Sequence, residues 1–346
     1  MPMSPSPTQG APLRQTTFRA LLDALAAQGR AHPPLVAVPS TASIKDALAV
    51  LAKHHILSVP VVSPRAASTS GAGIAAAGRQ YICLLSVVDL LGAVVGASTA
   101  KSGRPRTPWG SRSPADRAAA LAQPVDLAMP LDNAREAYRV WERDIDDTLD
   151  DTLRSGFAKA VHRALLTSVA DGPTAPAKLV TQSDIVRYVI AHPDSVTPGA
   201  VDLDKTVADL ALGQLPKDRT LVTISPDVTA LDAFQTMWNA GVQAVPIVDA
   251  DGALVAAMSA AALRGLTAAN VDALDLPVLE FLKAQNQGQL PAVATCTPTT
   301  PLRDVITAIV QGALHRVYLT TADDASGKRK CLGVITLTDL IRLFVA

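Results

Sequence analysis

Three places in this 346-residue chain set a hydroxyl three residues ahead of an aspartate, directly after an apolar run. They are Ser86 to Asp89, Thr181 (with Ser183) to Asp184, and Thr336 (with Thr338) to Asp339. Two of them follow a basic pair at the start of an apolar strand, His162-Arg163 and His315-Arg316. A hydroxyl followed three residues later by an acid closes a capping box around the first N–H groups of a helix, which needs no ligand. The same helix start presents free donors and a positive dipole end, which suits an anion. Arginine's fork bonds phosphate oxygens two at a time. A lone basic pair is more often a solvated surface feature, so it is the recurrence of both motifs in one order that raises binding beside capping.

The elements that must position these groups repeat. Phe18, Leu21, Leu22 and Leu25 predict a helix. Leu35–Val38 then reads as a strand, and Ile44, Ala47, Leu48 and Leu51 as one apolar helix face. Leu57–Val62 and Tyr81–Leu85 are strands flanking an Ala/Gly/Ser-rich loop at 63–79, and Ser86 opens a further helix. Residues 98–120 read as a linker. The order restarts with a strand at Val125–Met129 and a helix carrying Ala134, Ala137, Tyr138 and Trp141. The acidic stretch Asp144, Asp146, Asp147, Asp150 and Asp151 reads as a solvated helix face; it lacks the glycine and terminal glutamate of a calcium loop. After a boundary at Pro193–Pro198 the third unit is the clearest. It has a strand at Leu221–Pro226, a helix with Leu231, Phe234, Met237 and Trp238, the Gly241 cap, an Asp251-Gly252 hairpin and a last helix opened by Ser259. A connector helix at about 278–283 leads to the fourth unit, whose helix stripe is Leu302, Val305, Ile306 and Ile309. Four β-α-β-β-α units in two pairs make this a repeat protein of α/β (α+β) class. The expected divisions are a disordered tail at 1–16, a first repeat with its N-terminal helix at 17–97, and further repeats at 121–197, 203–270 and, with the connector, 271–346.

Composition narrows the function. Thirty-one basic residues balance 31 acidic ones and aromatics make up 3 % of the chain, so neither a phosphate-backbone surface nor a base-stacking platform is expected, and no nucleic-acid partner. Cys83, Cys296 and Cys331 are scattered and read as reduced thiols of an intracellular protein. No apolar run reaches the roughly 18 residues of a membrane span, and the first residues do not form a signal peptide. A cytoplasmic or nuclear location is the expectation. His54-His55 follows a helix without acidic or thiol partners and reads as an exposed helix end, so no metal is expected. P-loop, GxSxG, HExxH and kinase signatures are missing, and the repeats leave no spare catalytic domain.

The strand-turn-helix opening LVTISPDVTALDAF, the AVPIVDADG hairpin and the closing S/T-x-x-D helix starts resemble cystathionine-β-synthase (CBS) domains. Two such repeats pack as a Bateman module, and four, arranged in a pseudo-symmetric disk, resemble the gamma regulatory subunit of AMP-activated protein kinase. HRVYLTT and LGVITLTDLIRLF are similar to the final repeat of those subunits. The resemblance implies adenine-nucleotide binding (AMP, ADP or ATP, without a metal) between paired repeats, and kinase alpha and beta subunits as partners. It places ribose recognition on Asp89, Asp184 and Asp339, with Ser86, Thr181, Ser183, Thr336 and Thr338 as neighbouring hydroxyls. It places phosphate contacts on His162, Arg163, His315 and Arg316, and Thr223 in the cleft facing Asp339. A carboxylate accepting two hydrogen bonds from a cis-diol gives that recognition a physical basis. Three departures stand out: Ala262 replaces the third repeat's aspartate, Asp184 stands where animal gamma subunits generally carry arginine, and Leu57 replaces a phosphate-binding arginine. One good site in the second module, built on Asp339, is the expectation. The alternative is a CBS-pair regulator of another enzyme or transporter that binds adenosyl ligands.

Overall fold

The computed structural model describes residues 12–64, 79–95, 109–128, 142–171, 175–195, 201–215 and 220–345. Most of the expected tail, most of the 63–79 loop and the expected helix at 134–141 lie outside the described residues. Among the described residues no helix is long and apolar enough to cross a membrane.

Helix α1 (Phe18–Ala27) leads into the first unit, made of β1 (Val38–Pro39), α2 (Ile44–Lys53), β2 (Ser58–Pro64), β3 (Arg79–Ser86) and α3 (Val87–Val95). Helix α4 (Pro114–Leu121) precedes the second unit: β4 (Glu142–Asp144), α5 (Leu149–Ser155), β5 (Arg163–Thr167), β6 (Lys178–Thr181) and α6 (Gln182–Ala191). The third unit has α7 (Ala230–Ala240), β7 (Ala244–Val248) and β8 (Leu254–Ser259). Helix α8 (Val278–Gln285) leads to the fourth: β9 (Thr295–Cys296), α9 (Leu302–Gln311), β10 (Arg316–Thr320), β11 (Cys331–Thr336) and α10 (Leu337–Phe344). In each unit the central strand pairs parallel with the opening strand and antiparallel with the closing one. In the third, the opening strand shrinks to a single parallel bridge between Ile224 and Ile247. Local chemistry explains the helices. The stripe Ile44, Ala47, Leu48 and Leu51 is buried, Ser43 and Asp46 form a reciprocal cap, and Gly241 at φ 67° ends α7 in the left-handed region that glycine adopts without a Cβ penalty.

The units of a module exchange the segments that precede them. The first turn of α1 bonds the second unit: the Phe18 N–H donates to the Asp147 carbonyl at 3.1 Å, and Leu149 N–H to the Thr16 carbonyl at 2.8 Å. The segment around α4 docks on the first unit through Ile44 N–H to Gln123 and Val125 N–H to Ala42, both at 2.8 Å. The same reciprocal pair recurs where 203–212 meets the fourth unit (Val207 to Thr300, Leu302 to Lys205) and where 271–278 meets the third (Ala230 to Leu276, Val278 to Val228), all at 2.9 Å. Helix α1 therefore belongs in space with the second unit, although in sequence it was assigned to the first. The reason is burial: Phe18, Leu21, Leu22 and Leu25 close the second unit's core, not the first's.

Two cores result, and each joins the two modules. One unites the first and third units with Trp109 and α8, the other the second and fourth units with α1. Close approach at the seams requires glycine twice. A Cβ at Gly92 of α3 would lie 2.3 Å from the Trp238 ring, and one at Gly333 of β11 would lie 1.9 Å from the Gly213 carbonyl oxygen.

Three local expectations change. Val125–Leu127 forms a 3-10 turn after Pro124 in place of a strand, with Val125 buried and Leu127 exposed. The strand that opens the second unit is β4, and its helix is α5, within the acidic stretch. Asp150 and Asp151 occupy the first turn of α5, where the helix dipole favours them, while Asp144 lies on β4 and Asp146 pairs with Arg19 at 2.7 Å. Residues 109–120 of the expected linker are structured, as a 3-10 turn and most of α4, and Trp109 among them is fully buried under the guanidiniums of Arg112 and Arg117.

Candidate nucleotide site

The strand register sets the geometry. The last residue of each closing strand faces the first residue of its central strand: Ser86 faces Ser58, Thr181 faces Arg163, Ser259 faces Ala244 and Thr336 faces Arg316. The next N–H bonds the carbonyl one residue upstream, Val87 to Leu57, Gln182 to His162, Ala260 to Gln243 and Leu337 to His315. His162 and His315 are thus equivalent, and Leu57 and Gln243 hold that place in the other units. Each arginine that follows a histidine starts its strand directly across from a helix-capping threonine.

All three aspartates close capping boxes. Asp89 Oδ2 accepts from the Ser86 N–H at 2.9 Å and its hydroxyl at 2.5 Å, inside a buried setting. Asp339 Oδ2 accepts from Thr336 at 2.8 and 2.6 Å, and its Oδ1 meets the exposed end of Arg342 at 3.4 Å. Asp184 differs. Besides Thr181 at 2.8 and 2.7 Å, its Oδ2 meets His32 Nε2 at 3.4 Å and its Oδ1 the Arg187 guanidinium at 3.8 Å. Burial alone would raise the Asp184 carboxyl, but the bonds from His32 and Thr181 hold it below the ordinary carboxylate range. His32, in the segment after α1, thus covers the second unit's carboxylate, a consequence of the exchange of leading segments that no local pattern announces.

The remaining hydroxyls divide. Ser86, Thr181 and Thr336 cap helices. Thr338 is buried where α6 meets α10 and accepts a 2.8 Å hydrogen bond from Gln182 Nε2, which also donates to the Phe157 carbonyl at 2.9 Å. Ser183 lines a narrow gap with Val186 and Arg187 of α6 and Ile309 and Leu337 of the fourth unit. Thr223 is exposed one residue before the Ile224 bridge, and among the described residues no hydrogen bond ties it to Asp339.

The two basic pairs come together. Desolvation by the surrounding protein, together with the charges of Arg316, Arg163, Arg264 and His162, pushes the His315 pKa down to about 4, although part of the residue reaches solvent. Burial also lowers the Arg316 guanidinium. Among the described residues, no carboxylate pairs with Arg316 or Arg264. Two positions along β10, on the same face of the strand, the Tyr318 hydroxyl is buried without a hydrogen-bond partner, and burial raises its pKa to about 12. Like charges held close are costly, and a multivalent anion lowers that cost. Arg264 is the member of this group that sequence reasoning missed.

The third unit departs from the other three. Ser259 makes no side-chain cap, and only a 3-10 turn over Ala260–Leu263 follows where the other units build helices. Sequence reasoning expected a helix there. Without a carboxylate at the third position the reciprocal cap cannot close, and Gly265 at φ 88° ends the turn.

Three segments, 31–68, 213–258 and 290–346, match the CBS domain family. Along most of its length the chain is similar to an Arabidopsis thaliana protein, SNF1-related protein kinase regulatory subunit gamma-like PV42b. The two are 25 % identical over 89 % of this chain and 90 % of that protein. It is also 25 % identical to the bovine 5'-AMP-activated protein kinase subunit gamma-3, over 58 % of this chain and 38 % of that one. Among solved structures, a Methanocaldococcus jannaschii protein described as an archaeal homologue of the AMPK gamma subunit shares the fold. Its TM-score is 0.61 at 18 % identity, covering 90 % of this chain and 96 % of that one. Repeated topology, paired helix caps and these likenesses agree: the chain carries three segments that match the CBS domain family and, along most of its length, is similar to a gamma-like regulatory subunit of SNF1-related protein kinase.

Proposed function

We propose that the chain is a non-catalytic, adenine-nucleotide-sensing regulatory subunit of the gamma type, acting in an SNF1-like kinase complex with alpha and beta subunits. The observation that carries this reading is the convergence of His162-Arg163 and His315-Arg316, from two modules, beside the cap of Asp339. The phosphates would lie against the guanidiniums and imidazoles, and the ribose hydroxyls would donate to Asp339. Asp89, covered by few solvent contacts, and Asp184, closed over by His32, are weaker candidates for a ribose partner. The likeness to the gamma-like subunits along nearly the whole chain supports the choice of partner.

The readout follows from the packing. Thr338, one residue before Asp339, is bonded to Gln182 of the second unit, so a ligand that shifts the start of α10 acts on α6 and hence on the other module. Calorimetry on the purified chain with AMP and ATP tests the ligand, and co-purification with kinase alpha and beta subunits tests the partner. Nucleotide binding without those subunits would favour a CBS-pair regulator of another enzyme or transporter. No binding of either nucleotide would overturn both.

A further inference from the structure

We propose that His32 is a stopper built into the second unit: its imidazole stands against Asp184, where ribose hydroxyls would have to donate, so this unit's nucleotide site stays closed until the segment carrying His32 moves away. This rests on the nucleotide reading above.

The fourth unit shows the same design without the cover. Asp184 and Asp339 are each followed three residues later by an arginine, Arg187 and Arg342. Arg342 meets Asp339 Oδ1 at 3.4 Å with 57 % of its side chain exposed, and the carboxylate is 27 % exposed. Arg187 meets Asp184 Oδ1 at 3.8 Å but is only 18 % exposed, and its carboxylate 13 %. The added group is His32, whose Nε2 stands 3.4 Å from Asp184 Oδ2. That oxygen already accepts from the Thr181 N–H and hydroxyl, so His32 is a third partner where Asp339 Oδ2 has only the two from Thr336 among the described residues.

His32 is a single plug and not part of a packed wall. It lies on the crossing from α1, which packs on the second unit, to β1 of the first. From Ala26 to Pro34 every residue except His32 is exposed, and among the described residues 31–36 donate no backbone–backbone hydrogen bond. Pro33 and Pro34 have fixed φ, and a following proline biases His32 itself toward extended backbone. The crossing is therefore a stiff strap that reaches the carboxylate through one side chain. Two buried nitrogens of the closed arrangement, His32 Nδ1 and Arg187 Nε, have no hydrogen-bond partner. Release of the strap returns Nδ1 to water and uncovers a carboxylate that can accept from a cis-diol.

The test counts bound AMP per full chain by calorimetry and native mass spectrometry. Wild type should bind one AMP and His32→Ala two, with the second at least about tenfold tighter than any second event in wild type. In the His32→Ala background, Asp184→Ala should return the count to one by removing the new site, and Asp339→Ala should leave one by sparing it. Pro33→Gly combined with Pro34→Gly changes only exposed residues and loosens the strap without touching the carboxylate. It should uncover the second site at lower affinity than His32→Ala does, and it decides the question if His32→Ala fails to fold. Two AMP on wild type, a single AMP on both strap variants, or a second AMP that survives Asp184→Ala would overturn the proposal and leave the nucleotide reading standing. No AMP on wild type or on any variant would overturn the nucleotide reading, and the proposal with it.

Discussion

Asp339 serves two purposes in this account, and they can be separated. Its Oδ2 caps α10 through two bonds from Thr336 at 2.8 and 2.6 Å, and its Oδ1, which meets Arg342 at 3.4 Å, is the oxygen proposed to accept from the ribose. A hydrogen bond to a charged group contributes about 1.5–3 kcal/mol and a lost cap about 1 kcal/mol. The carboxylate is 27 % exposed, so the lower end applies. Asp339→Ala should therefore cost about 2 kcal/mol of stability. Thr336→Ala, which loses the hydroxyl but keeps the carboxylate, should cost about 1 kcal/mol. Helix α10 survives both changes, because Leu337, Leu340, Ile341 and Phe344 are buried, at roughly 1.5–3 kcal/mol each. Binding should divide differently. Removing the ribose acceptor should weaken AMP by about 10- to 150-fold, from the same 1.5–3 kcal/mol, while Thr336→Ala should change it less than about fivefold. Denaturant unfolding measures the first quantity and calorimetry the second. A folded Asp339→Ala protein that binds AMP within threefold of wild type would refute the ribose assignment. So would a Thr336→Ala protein that loses as much affinity as Asp339→Ala, since the carboxylate would then matter only as a cap.

His315 titrates near 4 in the folded chain against 6.5 when unfolded, so the unfolded state binds the extra proton and stability should fall as pH drops from about 6.5 toward 4. His315→Gln should flatten that decline in pH-dependent melting. A phosphate in the cleft favours the imidazolium, so, relative to His315→Gln, ATP should bind more tightly as pH falls from about 6 toward 4. Gly333→Ala places a Cβ against the Gly213 backbone, where no rotamer change relieves the clash, and should cost about 3 kcal/mol in chemical denaturation. His32→Ala removes a hydrogen-bonding partner of Asp184 and should cost about 1.5 kcal/mol at pH 7. Because the Asp184 carboxyl is depressed in the folded state, that difference should shrink below about pH 4, as the carboxylate becomes protonated.

Local pattern was enough for the repeat, for most helices and strands, and for the three capping boxes, because each depends on residues within a few positions of one another. The stripe of α2, the Gly241 cap and the Thr336–Asp339 box are all of this kind. The shortened third helix was not anticipated: Ala262 announced a missing carboxylate, not a 3-10 turn in place of a helix. The start of the second unit was misread at Val125–Leu127, since a short apolar run can serve equally as a strand or as a docking segment. Only the tertiary structure decided which leading segment covers which unit, and with it that His32 closes over Asp184. It also decided that Thr338 belongs to a helix interface and that Arg264 joins the two basic pairs. These are contacts between residues tens to hundreds of positions apart. They depend on how four similar units pair, and any of the three closing helices, read alone, would accept any of the others as its neighbour.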